Sequence, residues 1–249
     1  MLELYHCDPN ANSGKPMMAL HEKGVPFVSH YVDLPNFGAH DPEFLKVNPE
    51  GKAPVLVHDG RVLTESTQMC EYIDEAFEGP PLRPEDPRER WRMRWWSGYM
   101  DRDFGPSLSM IAWSRFIGPM HRARPQEELE RLLSRVPDPA RRAAWRTAIF
   151  GDFAPGRLEE SLRRLGVGAQ RLEEALGRTP WLAGSVFSIG DIVAFNMAGA
   201  LPRLFPDMAN ARSMPRLLEW IERMRARPGI RAALAMDRGA LRNAGRPPT

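Results

Sequence analysis

NPEGKAPVLVHDGRVLTES, residues 48–66, predicts a β-hairpin that runs directly into a helix. Its two short strands, 54–57 and 61–63, flank Asp59-Gly60. This dipeptide is favoured in two-residue hairpin turns because its residues tolerate positive φ. The second strand stops abruptly at Thr64, so a helix can begin two residues later.

Three residues distinguish this stretch from a plain hairpin. Pro54 cannot donate a ladder hydrogen bond, so it either occupies a sheet edge or follows a cis Ala53–Pro54 bond. Beside Glu65 and Ser66, the free N–H groups at the start of the next helix form a positive end that can hold an anion. These features are typical of a site that binds a peptide.

Strands and helices alternate around this hairpin. The predicted elements are a strand at 2–6, a helix at 13–23 ended by Gly24, a strand at 27–32, an irregular stretch with one helical turn at 37–47 and, after the hairpin, a helix from 66 to about 77. Strand, helix, strand, helix, hairpin, helix is the order of a thioredoxin-like domain.

A proline-rich linker, GPPLRPEDP at 79–87, separates this part from a remainder with helical patterns alone. Asp86 is predicted to cap the first of those helices, with Glu89 as its capping-box partner. The predicted helices cover 87–116, about 126–135, 139–149, 155–176, 189–200 and 215–226, with a short one near 228–236. We therefore predict an α/β thioredoxin-like domain at 1–80, a linker at 81–86 and an all-helical domain at 87–249.

Composition argues against several classes of protein. The net charge of +2 over 249 residues, without a basic run interleaved with aromatics, argues against nucleic-acid binding. The longest apolar stretch, 181–201, contains Ser188 and Asp191 and suits a buried helix rather than a membrane span. The first residues enter a strand without a charged and apolar leader, so we expect a cytoplasmic protein. Cys7 and Cys70 are expected to be buried thiols.

The second half of the chain contains a helix start that is marked by two capping signals. Ser188 and Asp191 form an S-x-x-D capping box, and Phe187 and Ile192 stand where a hydrophobic staple would close over it. We expect these residues to have a structural role, in which the cap contributes about 1 kcal/mol to the stability of the protein.

The NPxGxxPxL motif followed by Glu-Ser, together with the helical part and its capping box, resembles the cytosolic glutathione transferases. The resemblance spans nearly the whole chain. Within that superfamily, the chain resembles the bacterial β-etherases, which use glutathione to cleave β-aryl ether bonds in lignin fragments. The stretches that carry this similarity are ANSGKP (11–16), HDG (58–60), TEST (64–67), CEY (70–72), LRPEDP (82–87) and GVGAQRLEEAL (166–176).

The resemblance implies roles for the residues of the opening motif. Ala53, before Pro54, would present its N–H and C=O to the cysteinyl unit of glutathione, as in β-strand addition. Ser66 and the helix start would hold the γ-glutamyl carboxylate, while Glu65 would help to meet the ammonium group. Lys52 and His40 are candidates for the glutathione backbone and the glycyl carboxylate. For His40, a solvated surface position in the loop is the alternative.

The thiol of glutathione needs activation, because the thiolate is the nucleophile and a free thiol of pKa ~8.5 is mostly protonated at neutral pH. The resemblance places the activating group at the start of the first helix. Ser13, as N-cap, could donate its hydroxyl to the sulfur, or could merely cap the helix. Asn12 is its rival. Relatives with a PxACS motif have a cysteine at that position, so its absence favours attack by glutathione itself over mixed-disulfide chemistry.

The acceptor site is expected in the helical part, which is rich in aromatic residues. More apolar and aromatic side chains lie along 87–116 than one helix face requires. Most should be core residues, and Tyr99, Trp113 and Phe116 are candidates for an aromatic substrate pocket. The irregular segment 117–150, rich in arginine and proline, could cover that pocket.

We therefore expect a glutathione transferase of β-etherase type that acts on an aromatic small molecule and, like its family, forms a homodimer. One alternative is a transferase or isomerase for another small electrophile, by dehalogenation or cis-trans isomerisation. Another is a non-catalytic interaction protein with this fold. The six histidines show no metal-ligand spacing, so no metal site is predicted, and no G-x-S-x-G elbow occurs.

Overall fold

The computed structural model describes residues 1–236, which form two compact units. The first comprises Met1–Tyr31, Ala53–Gly98 and the described part of Arg171–Thr249, and the second comprises Val32–Lys52 and Tyr99–Gln170. The last part of the predicted helical domain, 237–249, lies outside the described residues.

The order of elements confirms the predicted fold class, a thioredoxin-like part followed by helices. None of the helices in residues 1–236 combines the length and apolar character that a membrane crossing requires. In chain order, the elements are β1 (Leu2–His6), α1 (Gly14–Lys23), β2 (Val28–Tyr31), α2 (Pro42–Val47), β3 (Val55–His58), β4 (Arg61–Leu63), α3 (Ser66–Ala76), α4 (Pro87–Tyr99), α5 (Gly105–Ala112), α6 (Gly118–Arg122), α7 (Gln126–Ser134), α8 (Pro139–Phe150), α9 (Arg157–Leu176), α10 (Ile189–Ala198), α11 (Leu201–Leu204), α12 (Pro215–Ala226) and α13 (Pro228–Leu234).

The sheet of the first unit is mixed, with the strand order β2-β1-β3-β4. β1 runs parallel to β2 and antiparallel to β3, and β4 completes the hairpin with β3. Leu4 lies opposite Ser29 on one side and Leu56 on the other. In the hairpin turn, Asp59 (φ 48°) and Gly60 (φ 76°) both have the positive φ that the sequence predicts.

Helix α1 is central to the first unit, because α3, α10 and α13 all pack against it. It ends at Gly24, whose left-handed conformation (φ 71°) makes the predicted C-terminal stop. A buried ion pair joins α1 to α3: Nζ of Lys23 lies 3.0 Å from Oδ1 of Asp74, and the two side chains are 4% and 3% exposed. Asp74 also accepts a hydrogen bond from the N–H of Leu82. One carboxylate thus connects α1, α3 and the linker.

The predicted capping box closes at the start of α10. The carboxylate of Asp191 accepts hydrogen bonds from the N–H and hydroxyl of Ser188, at 3.1 and 3.2 Å. Its other oxygen accepts from the N–H of Leu182 and the indole N–H of Trp220, both at 3.0 Å. Complete burial raises the pKa of Asp191 to about 6, although these hydrogen bonds act to lower it. The Asp191 carboxylate therefore joins the start of α10 to Leu182 and to Trp220 on α12. The sequence predicted only the local cap.

The predicted helix 87–116 is interrupted by wide, π-type turns. One lies at Met100–Phe104 after α4, and another at Trp113–Ile117 after α5. Each directly precedes a Gly-Pro pair, where the missing proline N–H and the bulk of its ring prevent an ordinary α-helical bond. The helical path then continues through α6, beyond the predicted end.

The start of α4 is capped as predicted, but the capping box does not form as expected. Oδ1 of Asp86 accepts hydrogen bonds from the N–H groups of Arg88 and Glu89, at 2.8 and 3.0 Å. The carboxylate of Glu89 instead accepts from the N–H and hydroxyl of Ser185, at 2.9 and 3.2 Å. Glu89 thus binds Ser185, which is distant in the chain, and not the N-cap residue of its own helix.

The second unit has a hydrophobic core cluster in which one residue of the 32–52 segment joins residues of α7, α8 and the turn between them. Trp113 and Trp145 pack against it. Helices α7 and α8 confirm the helices predicted at about 126–135 and at 139–149, whereas the description of 117–150 as irregular is wrong, because α6, α7 and α8 form most of it. Its leucines recur at helical spacing and give α7 an apolar face. The cluster consists of Phe37, Leu129, Leu132, Leu133, Val136 and Ile149.

Candidate active site

The start of α1 holds Asn12 and Ser13, the rival residues for thiol activation. Ser13 is 1% exposed, and its Oγ accepts a hydrogen bond from the N–H of Cys7 at 2.9 Å. Ser13 occupies the N-cap position of α1 as predicted, but its backbone is already helical and its hydroxyl accepts no N–H of α1 within residues 1–236, so the side chain does not cap the helix. A hydroxyl can accept and donate at once, so Ser13 keeps a proton for another acceptor. Asn12 is exposed.

The loop before α1 is held by Asn196, a residue that the sequence patterns did not indicate. Its side-chain amide, on α10, donates to the carbonyls of Pro9 and Ala11 at 3.0 and 2.9 Å. A β-carbon on Gly14 would collide with the Pro9 carbonyl oxygen and with the Asn196 amide, so only glycine fits there. One signal was available, because Asn196 interrupts the apolar run 192–198 with a polar amide.

The residues at the start of α3 adopt an uncommon backbone conformation. Glu65 has positive φ (65°), which is rare for a residue with a β-carbon, and its side chain is exposed. Ser66 begins α3 and is half-buried. The Ala53–Pro54 bond is cis, which is one of the two predicted alternatives. A positive φ at a residue such as Glu65 costs on the order of 1–3 kcal/mol and is typical of ligand sites.

His40 lies in the second unit and is 3% exposed, so the alternative of a solvated surface histidine is wrong. The centroids of the Phe37 and Trp145 rings lie 6.2 and 6.3 Å from the centroid of the His40 ring. Neither ring nitrogen has a hydrogen-bond partner in the part of the chain that the structure describes. Burial, with the charges of Arg141 and Arg135, lowers the pKa of His40 to about 4. His40 is therefore neutral at pH 7 and offers a ligand one donor and one acceptor.

Lys52 ends the same segment and is exposed. Its Nζ lies 2.7 Å from a carboxylate oxygen of Glu50. An exposed pair of this kind contributes little, so the ammonium is available to a stronger anion. The predicted ligand residues thus fall into two groups, with His40 and Lys52 in the second unit. The group in the first unit comprises Asn12, Ser13, Ala53, Pro54, Glu65 and Ser66.

The three candidates for an aromatic pocket differ in their surroundings. Tyr99 is buried, with 9% of its surface exposed. Trp113 stacks on His121, with ring centroids 6.0 Å apart, and meets Trp145 edge-on at 5.1 Å. Phe116 is 50% exposed. Of the three, Phe116 has the most surface available to a substrate.

Two family models match the chain. Residues 4–81 match the glutathione S-transferase N-terminal domain, and residues 142–228 match the glutathione S-transferase C-terminal domain. The first match contains every predicted glutathione-binding residue.

Protein LigF of Sphingobium sp. (strain NBRC 103272 / SYK-6) is 39% identical over 236 residues, which cover 92% of this chain and 91% of LigF. The crystal structure of beta-etherase LigF matches with a TM-score of 0.88 over 94% of this chain and 98% of LigF. Glutathione S-transferase F13 of Arabidopsis thaliana is 29% identical and covers 77% of this chain and 76% of its own. Since the matches extend through both the sheet and the helices, the chain belongs to the glutathione S-transferase family, with glutathione as its co-substrate.

Proposed function

We propose that the protein is a β-etherase-type glutathione transferase that acts on an aromatic α-keto β-aryl ether. The thiolate of glutathione attacks the carbon that bears the aryloxy group, next to a carbonyl that activates it. A C–S bond forms and the C–O bond to the aryloxy group breaks. The products are a glutathione thioether and a phenolate, which takes up the proton that the thiol released.

The observation that carries this proposal is the likeness to LigF, a β-etherase, over nearly the full length of both chains. A likeness limited to the N-terminal part would support glutathione binding alone. Because this one extends through the helical part, where the acceptor site is expected, it supports the acceptor class as well.

In this proposal, residues of the first unit hold the γ-glutamyl and cysteinyl parts of glutathione. Ser66 and the free N–H groups at the start of α3 bind the γ-glutamyl carboxylate, because a helix start favours an anion. Glu65 meets the ammonium group, and its exposed side chain on an uncommon backbone supports that role. The backbone of Ala53, before Pro54, pairs with the cysteinyl unit.

His40 and Lys52 bind the glycyl end of glutathione. Lys52 supplies the charge that a carboxylate requires. His40 is neutral and supplies a hydrogen bond from its ring. Its two ring nitrogens, both buried and unpaired among the described residues, support this assignment, since buried polar groups ordinarily have partners.

We assign thiolate stabilisation to Ser13, with Asn12 as the alternative. The Cys7 N–H holds the Ser13 hydroxyl in place, and Asn196 holds the loop before it. A donor fixed in this way needs no reorganisation as charge develops on sulfur. The start of α1 adds its positive end to the same site.

The acceptor is proposed to bind beside Phe116, with Tyr99 and Trp113 as further candidates. Phe116→Ala should raise KM for the ether severalfold, because an aromatic contact of about 1 kcal/mol is lost. Its affinity for glutathione should not change. Equal loss for both substrates would contradict the assignment.

The decisive experiment incubates the protein with glutathione and an α-keto β-aryl ether and measures phenol and thioether by chromatography. Equimolar release of both is expected. Conjugation of a generic electrophile without phenol release would reject the β-etherase proposal in favour of another transferase or isomerase. Failure to bind glutathione in a calorimetric titration would leave a non-catalytic protein with this fold.

We further infer a cytoplasmic homodimer. Trp91 and Trp95 lie one turn apart on α4 and are 64% and 40% exposed, and exposed tryptophans of this kind are typical of protein interfaces. Cys7 and Cys70 are buried and form no disulfide within residues 1–236, which suits a reducing compartment. Analytical ultracentrifugation of wild type and Trp91→Arg tests the dimer, and a monomeric wild type would reject it.

A further inference from the structure

Three arginines hold the 32–52 segment by its backbone, and we name Arg124, Arg135 and Arg141 the arginine clamp. Arg124, in the turn after α6, donates to the carbonyl of Pro35 at 3.1 Å and to Oδ1 of Asn36 at 2.7 Å. This contact fixes the beginning of the segment.

Arg135 and Arg141 fix two later points. Arg135, at the end of α7, donates to the carbonyl of Phe37 at 3.4 Å and pairs with the carboxylate of Asp41. Arg141, on α8, donates to the carbonyl of Gly51 at 2.8 Å and also to the carbonyl of the preceding residue. The clamp therefore grips the segment before, beside and after His40.

An apolar anchor reinforces the clamp. Phe37 is 1% exposed and belongs to the hydrophobic core cluster with residues of α7 and α8. Its ring lies 4.5 Å from that of Trp145. Its positive φ (60°) is uncommon for a bulky residue, so the anchored conformation depends on the surrounding packing.

The backbone at Gly51, which Arg141 binds, also packs closely against His40. A β-carbon on Gly51 would lie 2.6 Å from Nδ1 of His40, and Gly51 has positive φ (59°), so glycine is required there. Arg141 binds the carbonyl of this glycine, and Lys52 follows it directly in the chain. A shift at the Arg141 contact therefore moves the surroundings of both His40 and Lys52.

We propose that the arginine clamp positions His40 and Lys52 and thereby sets the affinity for the glycyl end of glutathione. This inference rests on the proposed function, in which those two residues bind that end. The clamp arginines are positioning residues, since each donates hydrogen bonds to the 32–52 segment. Arg124 also pairs with Glu128 on α7. Helices α6–α8 thus become a part of the glutathione site that sequence motifs did not indicate.

The test compares two peptides, glutathione and γ-glutamylcysteine, which lacks the glycine. Calorimetry gives Kd for both, and steady-state kinetics separate KM from kcat. For Arg141→Ala, we expect Kd and KM for glutathione to rise about tenfold, equivalent to ~1.4 kcal/mol. Kd for γ-glutamylcysteine and kcat at saturating glutathione should remain within about twofold of wild type, because the thiol site is untouched.

Arg141→Lys separates positioning from charge. Lysine keeps the charge but cannot fork onto two carbonyls, so glutathione affinity should stay low. This variant also decides the question if Arg141→Ala does not fold. Arg163→Ala is the matched control, because Arg163 pairs with Glu160 on its own helix at 2.7 and 2.8 Å, and it should behave as wild type.

Several results would overturn the inference. One such result is an Arg141→Ala variant that binds glutathione as wild type does, or that binds both peptides more weakly by the same factor. Another is full recovery of glutathione affinity in Arg141→Lys, which would mean that the charge acts directly on the ligand. A wild type that binds both peptides equally would reject the inference and the glycyl-end assignment of His40 and Lys52, while the proposed β-etherase activity would stand. A wild type that binds neither peptide would reject the proposed function and this inference together.

Discussion

The hydroxyl of Ser13 accepts a hydrogen bond from the N–H of Cys7, which joins the start of α1 to the end of β1 through one buried oxygen. The oxygen is fixed, but the proton is left for another acceptor. Asn12, next to it, is exposed. The two rivals for thiolate stabilisation therefore differ in how firmly they are held.

Ser13→Ala should lower kcat/KM by about 10- to 100-fold, since a preorganised donor to developing charge is removed. The pKa of bound glutathione should rise toward ~8.5, the value of a free thiol, and ultraviolet absorbance of the thiolate against pH measures it. Asn12→Ala is the comparison and should have the smaller effect. The reverse order would assign the role to Asn12.

Glu65 allows binding and backbone strain to be separated. Glu65→Ala and Glu65→Gly should both weaken glutathione binding, because both lose the carboxylate. Their stabilities should differ by about 1 kcal/mol in favour of Gly, since positive φ is free of strain only for glycine. Calorimetric titration and urea unfolding of the same samples measure the two effects. Unchanged affinity in both variants would remove Glu65 from the site.

Asp74→Ala should destabilise the protein by about 3–5 kcal/mol, because it leaves the ammonium of Lys23 buried without its counter-charge. Urea unfolding measures the loss. The matched control is Glu43→Ala, which breaks an exposed pair with Lys46 on the surface and should cost less than ~1 kcal/mol. Similar losses in the two variants would show that burial of the Lys23 pair has no energetic weight.

His121 should make stability depend on pH. It is 1% exposed, and its burial, with the charge of Arg124, lowers its pKa to about 4. Because the folded state then binds fewer protons than the unfolded state, this stabilisation is complete above about pH 6.5 and is lost as the pH falls toward 4. Burial lowers the pKa of His40 to about 4 as well, and the same sign applies.

The measurement is urea unfolding of wild type and His121→Phe between pH 7 and pH 4. Phenylalanine keeps a ring against Trp113 but does not titrate, so the variant should lose less stability on acidification, by up to ~3 kcal/mol. His30→Gln, at a partly exposed histidine, is the control. Parallel curves for wild type and His121→Phe would contradict the prediction.

Short-range signals in the sequence predicted much of the fold. The Asp59-Gly60 turn and the Gly24 helix end are each decided by the φ preferences of one or two residues. The capping box of Ser188 and Asp191 depends on a spacing of three residues. Such patterns are legible because the partner lies within a few positions.

Long-range contacts at the site were not predictable in the same way. The bonds of Asn196 to the loop before α1, and of Arg141 to Gly51, each join residues far apart in the chain. In the sequence, Arg141 is one of many charges that a solvated surface would explain equally well. The positive φ of Glu65 gave no signal, since a residue other than glycine, asparagine or aspartate carries no mark of that conformation.

Phe37 limits how this chain can be divided or recombined. It precedes the hairpin, yet its ring completes a core that Leu132, Ile149 and their neighbours form far downstream. A chimera that grafted residues 1–80 onto the helices of another transferase would separate Phe37 from these partners, and the contacts that bury its ring would be lost. The 32–52 segment and helices α6–α8 should therefore be exchanged together in any chimera, because their side chains share one core.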